Sequence, residues 1–85
     1  MTIRLLYFAW VREKLGRAEE TVTVPGDVAS VGELMGWLAM RSPEYRDVFS
    51  RTGVVRAAID QTHAPASASI AGAREIAFFP PVTGG

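Results

Sequence analysis

The stretch from Ser30 to Ala39 limits what this chain can fold into more than any other part of it. Ser30 is suited to cap the first free amides of a helix, and Glu33, three residues on, completes a capping box. Val31, Leu34, Met35, Leu38 and Ala39 then fall on one stripe at helical spacing, so one face of this helix must be buried. The segments around it have period two instead. Thr2 to Trp10 alternates as a strand, with Ile3, Leu5 and Tyr7 on one face and Arg4, Leu6, Phe8 and Trp10 on the other. Glu20 to Val24 alternates again, Val22 and Val24 forming the inward pair before the Pro25-Gly26-Asp27 turn.

Between and after these elements the chain is punctuated by capping and turn residues. Val11 to Leu15 reads as one helical turn closed by Gly16, a residue free to take the left-handed conformation. Ser42-Pro43 opens a short helix with Tyr45, Val48 and Phe49 on its apolar side and Gly53 at its end. Val54 to Ile59 reads as a buried strand. Gln61 to Ala73 is loop-like, with room for a short strand of unspecified position. Glu75 to Phe79 is the last strand, Ile76 and Phe78 facing opposite to Ala77 and Phe79. One main helix across one face of a mixed four- or five-stranded sheet is the natural way to bury these stripes. The order fits an α+β fold of the β-grasp, or ubiquitin-like, type, over residues 1–79, with 80–85 as an extended tail.

At 85 residues there is room for one core, and for burial of only about two-thirds of the unfolded surface. Nine basic and nine acidic residues cancel, and Lys14 is the only lysine, which argues against nucleic acid as a partner. No cysteine is present, so a disulfide framework, a thiolate metal site and a cysteine nucleophile are all excluded. The single histidine, His63, has no helpers at metal-ligand spacing, and no bound metal or cofactor is expected. The apolar run Ile3–Val11 is broken by Arg4 and too short to span a bilayer, and it has no cleavage signature. A cytoplasmic protein without membrane contact is expected.

The sequence after the last strand is Pro80-Pro81-Val82-Thr83-Gly84-Gly85. Two prolines cannot donate ladder hydrogen bonds, so the strand ends there and the chain leaves stiffly. The five residues after Pro80 reach about 16–18 Å when extended. Two glycines at the end let a narrow tunnel admit the chain and bring its carboxylate close to a reactive centre. Terminal Gly-Gly alone is a weak signal, since most tails are frayed ends. Behind a β-grasp pattern and a proline brace it is a much stronger one.

The run Phe78-Phe79-Pro80-Pro81-Val82-Thr83-Gly84-Gly85 resembles the tail of molybdopterin synthase small subunits. Leu6-Tyr7-Phe8-Ala9-Trp10-Val11-Arg12-Glu13 is similar to that family's first strand and turn, and Ala57-Ala58-Ile59-Asp60-Gln61-Thr62 to its central strand. The resemblance implies a sulfur carrier. A partner related to ubiquitin-activating enzymes would use ATP to adenylate the Gly85 carboxylate, and sulfur from a persulfide would leave a thiocarboxylate there. The tail, Pro80, Pro81, Val82, Thr83 and Gly84, would then enter the synthase large subunit, where the sulfur attacks a pterin precursor. ATP and the persulfide would be used by partners and not held by this chain. Acids and bases would likewise be the partners' groups.

Phe8 and Phe79 sit opposite the expected core residues, and with Leu6 they would form an exposed apolar patch if the first and last strands are neighbours. The resemblance makes this the face that partners grip; packing of one ring under the 61–73 loop is the plainer alternative. His63 reads as an exposed turn residue at the rim of that patch. Asp60 stands where the family commonly carries Asn, which keeps an acceptor but loses donors. Trp10 and Trp37 read as packing residues, and Arg12, Lys14 and Arg17 as a solvated turn. Two other uses of such a chain remain open at this point: a sulfur carrier for thiamine synthesis or tRNA thiolation, and a ubiquitin-like modifier or binding module. The Phe-Phe-Pro-Pro-Val-Thr run argues against the other carriers. No convergent acid, base and nucleophile set supports a self-sufficient enzyme.

Overall fold

Burial follows the alternation of the first strand. Ile3, Leu5 and Tyr7 are essentially inaccessible, whereas Thr2 and Arg4 are exposed and Leu6 is half-buried. A computed structural model of the chain describes residues 1–50 and 54–81. Its elements are β1 (Thr2–Tyr7), α1 (Ala9–Leu15), β2 (Glu19–Thr23), α2 (Val31–Ala39), α3 (Pro43–Phe49), β3 (Arg56–Ile59), β4 (Thr62–Ala64) and β5 (Glu75–Phe79). The strands form one mixed sheet in the order β2-β1-β5-β3-β4, with β1 and β5 parallel at its centre and the other pairs antiparallel. This is the α+β, β-grasp arrangement expected from the element order.

The capped helix is α2, and its stripe packs Val31, Leu34 and Leu38 into the core, with Met35 and Ala39 partly covered. Ser30 Oγ accepts from the Glu33 amide at 3.2 Å. The return arm of the box is displaced by one residue. Glu33 Oε1 accepts from the Ala29 amide at 3.0 Å, while Ser30 bridges to Ser69 across an isolated antiparallel pair. The 65–70 segment thereby takes over the helix head: Ala68 and Ala66 carbonyls accept from Val31 and Gly32. Gly32 lets the two segments approach this closely: a Cβ would stand 3.2 Å from the Ala66 oxygen and press it away by a few tenths of an ångström.

Several element bounds differ from those expected. The first strand ends at Tyr7 and not at Trp10, because Ala9 turns left-handed (φ 54°) and starts α1 two residues before Val11. Trp10 therefore belongs to α1 and packs, half-buried, against the edge of the core, while Val11 and Leu15 fill it. Gly16 closes α1 in the left-handed conformation as expected (φ 73°). The third strand begins at Arg56 and not Val54, although Val55 is still buried. The segment after it holds β4, joined to β3 by a two-residue turn in which Asp60 (φ 47°) and Gln61 (φ 73°) are both left-handed. That is the backbone of a tight hairpin whose twist matches the strands. Helix α3 ends at Phe49, capped at Ser50; Gly53, expected to end it, lies outside the described residues.

The core between sheet and helices is aromatic at one end. Phe49 of α3 meets Phe78 of β5 edge to face, centroids 4.9 Å apart, and Tyr7 lies 6.3 Å from Phe78. A carboxylate borders this end. Glu20, of the same parity as Val22, points inward and is only 11% exposed. It accepts from the Tyr7 hydroxyl at 2.7 Å, from the Tyr45 hydroxyl, and from Arg41 and Arg17 at 3.2 and 3.1 Å. Burial alone raises a carboxyl pKa. The Tyr45 and Tyr7 hydroxyls and the Arg41 charge outweigh it and hold Glu20 below its ordinary value. Burial and the neighbouring carboxylate push the Tyr7 and Tyr45 hydroxyls up.

Candidate functional site

All three helices leave one face of the sheet uncovered, and pairing register decides what that face carries. Leu5 and Ile76, like Tyr7 and Phe78, are register partners that point to the core, so the intervening pairs Arg4–Glu75 and Leu6–Ala77 point away from it. Across β5 and β3, Ala57 and Phe78 are buried partners, which turns Arg56–Phe79 and Ala58–Ala77 outward. Ala58 in turn pairs with His63. One row thus runs Leu6–Ala77–Ala58–His63 across four strands, with Phe79 and Arg56 above it. Phe8, extended and donating its amide to the Phe78 carbonyl, continues the alternation of β1 on the same side and is 49% exposed.

The structure therefore brings Leu6, Phe8, Phe79 and His63 to one face. Phe79 and Leu6 are half-buried there, and the His63 ring packs against Phe79 with centroids 5.3 Å apart. The 65–70 segment packs on the head of α2, so of the 61–73 stretch it is His63 that lies against Phe79. Ala58 and Ala77 complete the apolar surface. Their parity was readable in the sequence, but their adjacency depends on the β3–β5 register, which no local pattern fixes. At the far end the face is charged: Arg4 bridges Glu19 at 2.5 Å, and both are about half exposed. The Glu19 hydrogen bond and charge raise Arg4 above its ordinary pKa.

Asp60 meets the requirement that its position imposes. Its Oδ1 accepts from the amides of Arg74 and Glu75 at 3.2 and 3.0 Å, and its own amide donates to the Glu75 carbonyl. Only an acceptor is used, so the donors that an Asn would add have no task here. Through this contact the hairpin turn fixes the start of β5, the strand whose other end leads to the tail. Pro80 and Pro81 follow β5 directly, half-buried and outside any element. Val82, Thr83, Gly84 and Gly85, the rest of the expected reactive tail, lie outside the described residues. No described helix is long and apolar enough to cross a membrane.

A five-stranded mixed sheet with this strand order, a helix across one face and an apolar patch on the other defines a ubiquitin-like β-grasp protein. The chain matches the ThiS family over residues 5–85 and belongs to it. It is 32% identical over 83 residues to the molybdopterin synthase sulfur carrier subunit of Haemophilus influenzae, covering 98% of this chain and 99% of that one. It is 35% identical over 83 residues to the subunit of the same name from Escherichia coli, with the same coverage. Among solved structures, SAMP1 from Haloferax volcanii superposes over the whole of both chains with a TM-score of 0.75 and 27% identity.

Proposed function

We propose that this chain is the sulfur carrier of molybdenum cofactor biosynthesis, the small subunit of molybdopterin synthase, with the Gly85 carboxylate as its reactive group. The observation that carries the reading is full-length similarity to proteins named for that role, at 32–35% identity, in a match that continues through Gly85. The chemistry divides between this chain and its partners. A carboxylate is a poor electrophile, so an adenylating enzyme first transfers AMP from ATP to Gly85, with loss of pyrophosphate. The terminal sulfur of a partner's persulfide then attacks the carbonyl carbon and AMP leaves. A partner thiol cleaves the resulting acyl disulfide and frees the thiocarboxylate. With no cysteine of its own, the chain offers no competing thiol for activated sulfur.

In the large subunit the thiocarboxylate sulfur is the nucleophile toward the pterin precursor. This chain contributes position. The patch of Leu6, Phe8 and Phe79, with His63 at its rim, grips the partner, and the Pro80–Pro81 brace directs Val82, Thr83 and Gly84 into its pocket. A cytoplasmic setting, where ATP is at hand, goes with this reading. The test is conversion of a pterin precursor to molybdopterin by the reconstituted pair, the carrier being charged with ATP and a sulfur source. Deleting Gly85, or adding one alanine after it, moves the terminus by up to ~3.6 Å. That exceeds the tolerance of a near-attack distance of about 3–3.5 Å. Both variants should lose sulfur transfer and keep wild-type stability. Full activity from the truncated chain removes Gly85 as the carrier.

A further inference from the structure

The uncovered sheet face is apolar in the middle but graded in charge from end to end. At the end away from the tail, Arg4 is neutralised by Glu19 and stands beside Glu75 in register. At the tail end the only outward formal charge on β3 and β4 is that of Arg56. Arg56 is the register partner of Phe79, the last residue before the prolines, and is exposed. Its side chain makes no ion pair or hydrogen bond among the described residues. His63, one strand further out on the same side of β5, packs its ring against Phe79. Asp60 is four residues along β3, about 13 Å away, and its Oδ1 is committed to the amides of Arg74 and Glu75.

A lone arginine on a surface is ordinary. This one adjoins an aromatic ring that docking must cover, so any partner that seats Phe79 also takes water from the guanidinium. A guanidinium desolvated without a counter-charge costs several kcal/mol, enough to cancel the gain from the patch. An extended tail puts Gly85 six residues, or about 20 Å, from Phe79, so Arg56 answers to the rim of the receiving protein and not to groups at the reacting carbon.

We infer that Arg56, seconded by His63, seats against an aspartate or glutamate on the rim of the surface that receives Phe79, and that this surface belongs to the large subunit of molybdopterin synthase. The inference rests on the sulfur-carrier reading, which supplies that partner. Arginine suits the task because its planar fork engages a carboxylate with two parallel bonds.

The test is calorimetric titration of the cognate large subunit with wild-type carrier, Arg56→Glu, Arg56→Gln and Phe79→Ser, at about 50 mM and about 300 mM salt. Arg56→Glu should lose about tenfold or more in affinity at low salt and should lose most of the wild-type salt dependence. Arg56→Gln should shift the same way by less. Neither should change the melting temperature, since the Arg56 side chain has no ion pair or hydrogen bond to lose among the described residues. Wild-type affinity and salt dependence in Arg56→Glu, alongside weakening in Phe79→Ser, would overturn the acidic rim and leave the carrier reading standing. Loss of neither variant's affinity removes the face itself as the docking surface. A large subunit that does not bind wild type overturns both readings. Dimerisation of the carrier alone that Phe79→Ser abolishes, with titrations unmoved by Arg56→Glu, assigns the face to a second copy of this chain.

Discussion

Replacing Glu20 by alanine should cost about 2–4 kcal/mol, far more than a strand-edge glutamate would ordinarily contribute. The carboxylate is the acceptor for two tyrosine hydroxyls, and their residues are 1% (Tyr7) and 7% (Tyr45) exposed. Each hydroxyl left without a partner costs about 1–3 kcal/mol, and Tyr45, nearer the surface, recovers part of that from water. The ion pair with Arg17 adds little, because that guanidinium is 48% exposed. The assay is urea unfolding at neutral pH followed by the fluorescence of Trp10 and Trp37. Adding Tyr45→Phe to Glu20→Ala should restore part of the loss, because one orphaned hydroxyl is then gone. Because Glu20 is held below its ordinary pKa in the folded state, its stabilisation is complete above the unfolded value of about 4–5 and lost as pH falls through the folded one. Wild type should therefore lose stability toward acid more steeply than Glu20→Gln. A Glu20→Ala protein within 0.5 kcal/mol of wild type, a difference expected only of neutral surface changes, would refute the account of this cluster.

Other substitutions test separate parts of the structure. Leu34→Asp puts an unpaired charge at a fully buried position of α2 and should cost about 3–5 kcal/mol; an unchanged urea midpoint would remove the helix from the core. Ala9 holds a left-handed backbone (φ 54°), so Ala9→Gly should raise stability by about 0.5–1 kcal/mol and Ala9→Val should lower it. Equal melting temperatures for all three would mean that no strain is held at that junction. Phe79→Ser should leave unfolding cooperative and weaken binding to the adenylating enzyme. Wild-type affinity there would make the ring mere surface for that partner.

Where local rules sufficed, the sequence was legible. The α2 stripe, the Ser42-Pro43 cap, the Gly16 stop and the bounds of β5 all depend on residues within one or two turns of each other. The junction at Phe8–Ala9 was not, because apolar alternation runs on through Trp10 while the backbone has already turned. Nothing in an alanine announces a positive φ. Strand β4 was equally obscure: three residues, exposed or half-buried, formed mainly by pairing with β3. The inward placement of Glu20 has a local signal, since it shares the parity of Val22 and Val24. For the site, strand parity separated Leu6, Phe8 and Phe79 from the core. Placing His63 and Arg56 beside Phe79 took the register of three strands. The tail was legible only as chemistry: prolines that stop a ladder and glycines that fit a narrow passage.

The central claim is that sulfur is carried on Gly85, and the intact mass of the protein isolated from its own cells tests it most directly. The account predicts a species heavier than the unmodified chain by the difference between one sulfur and one oxygen atom. Fragmentation should place that difference on Gly85, and it should disappear when the adenylating enzyme is deleted or Gly85 is removed. A chain of unmodified mass in cells actively making molybdopterin, with the adenylating enzyme present, would contradict it.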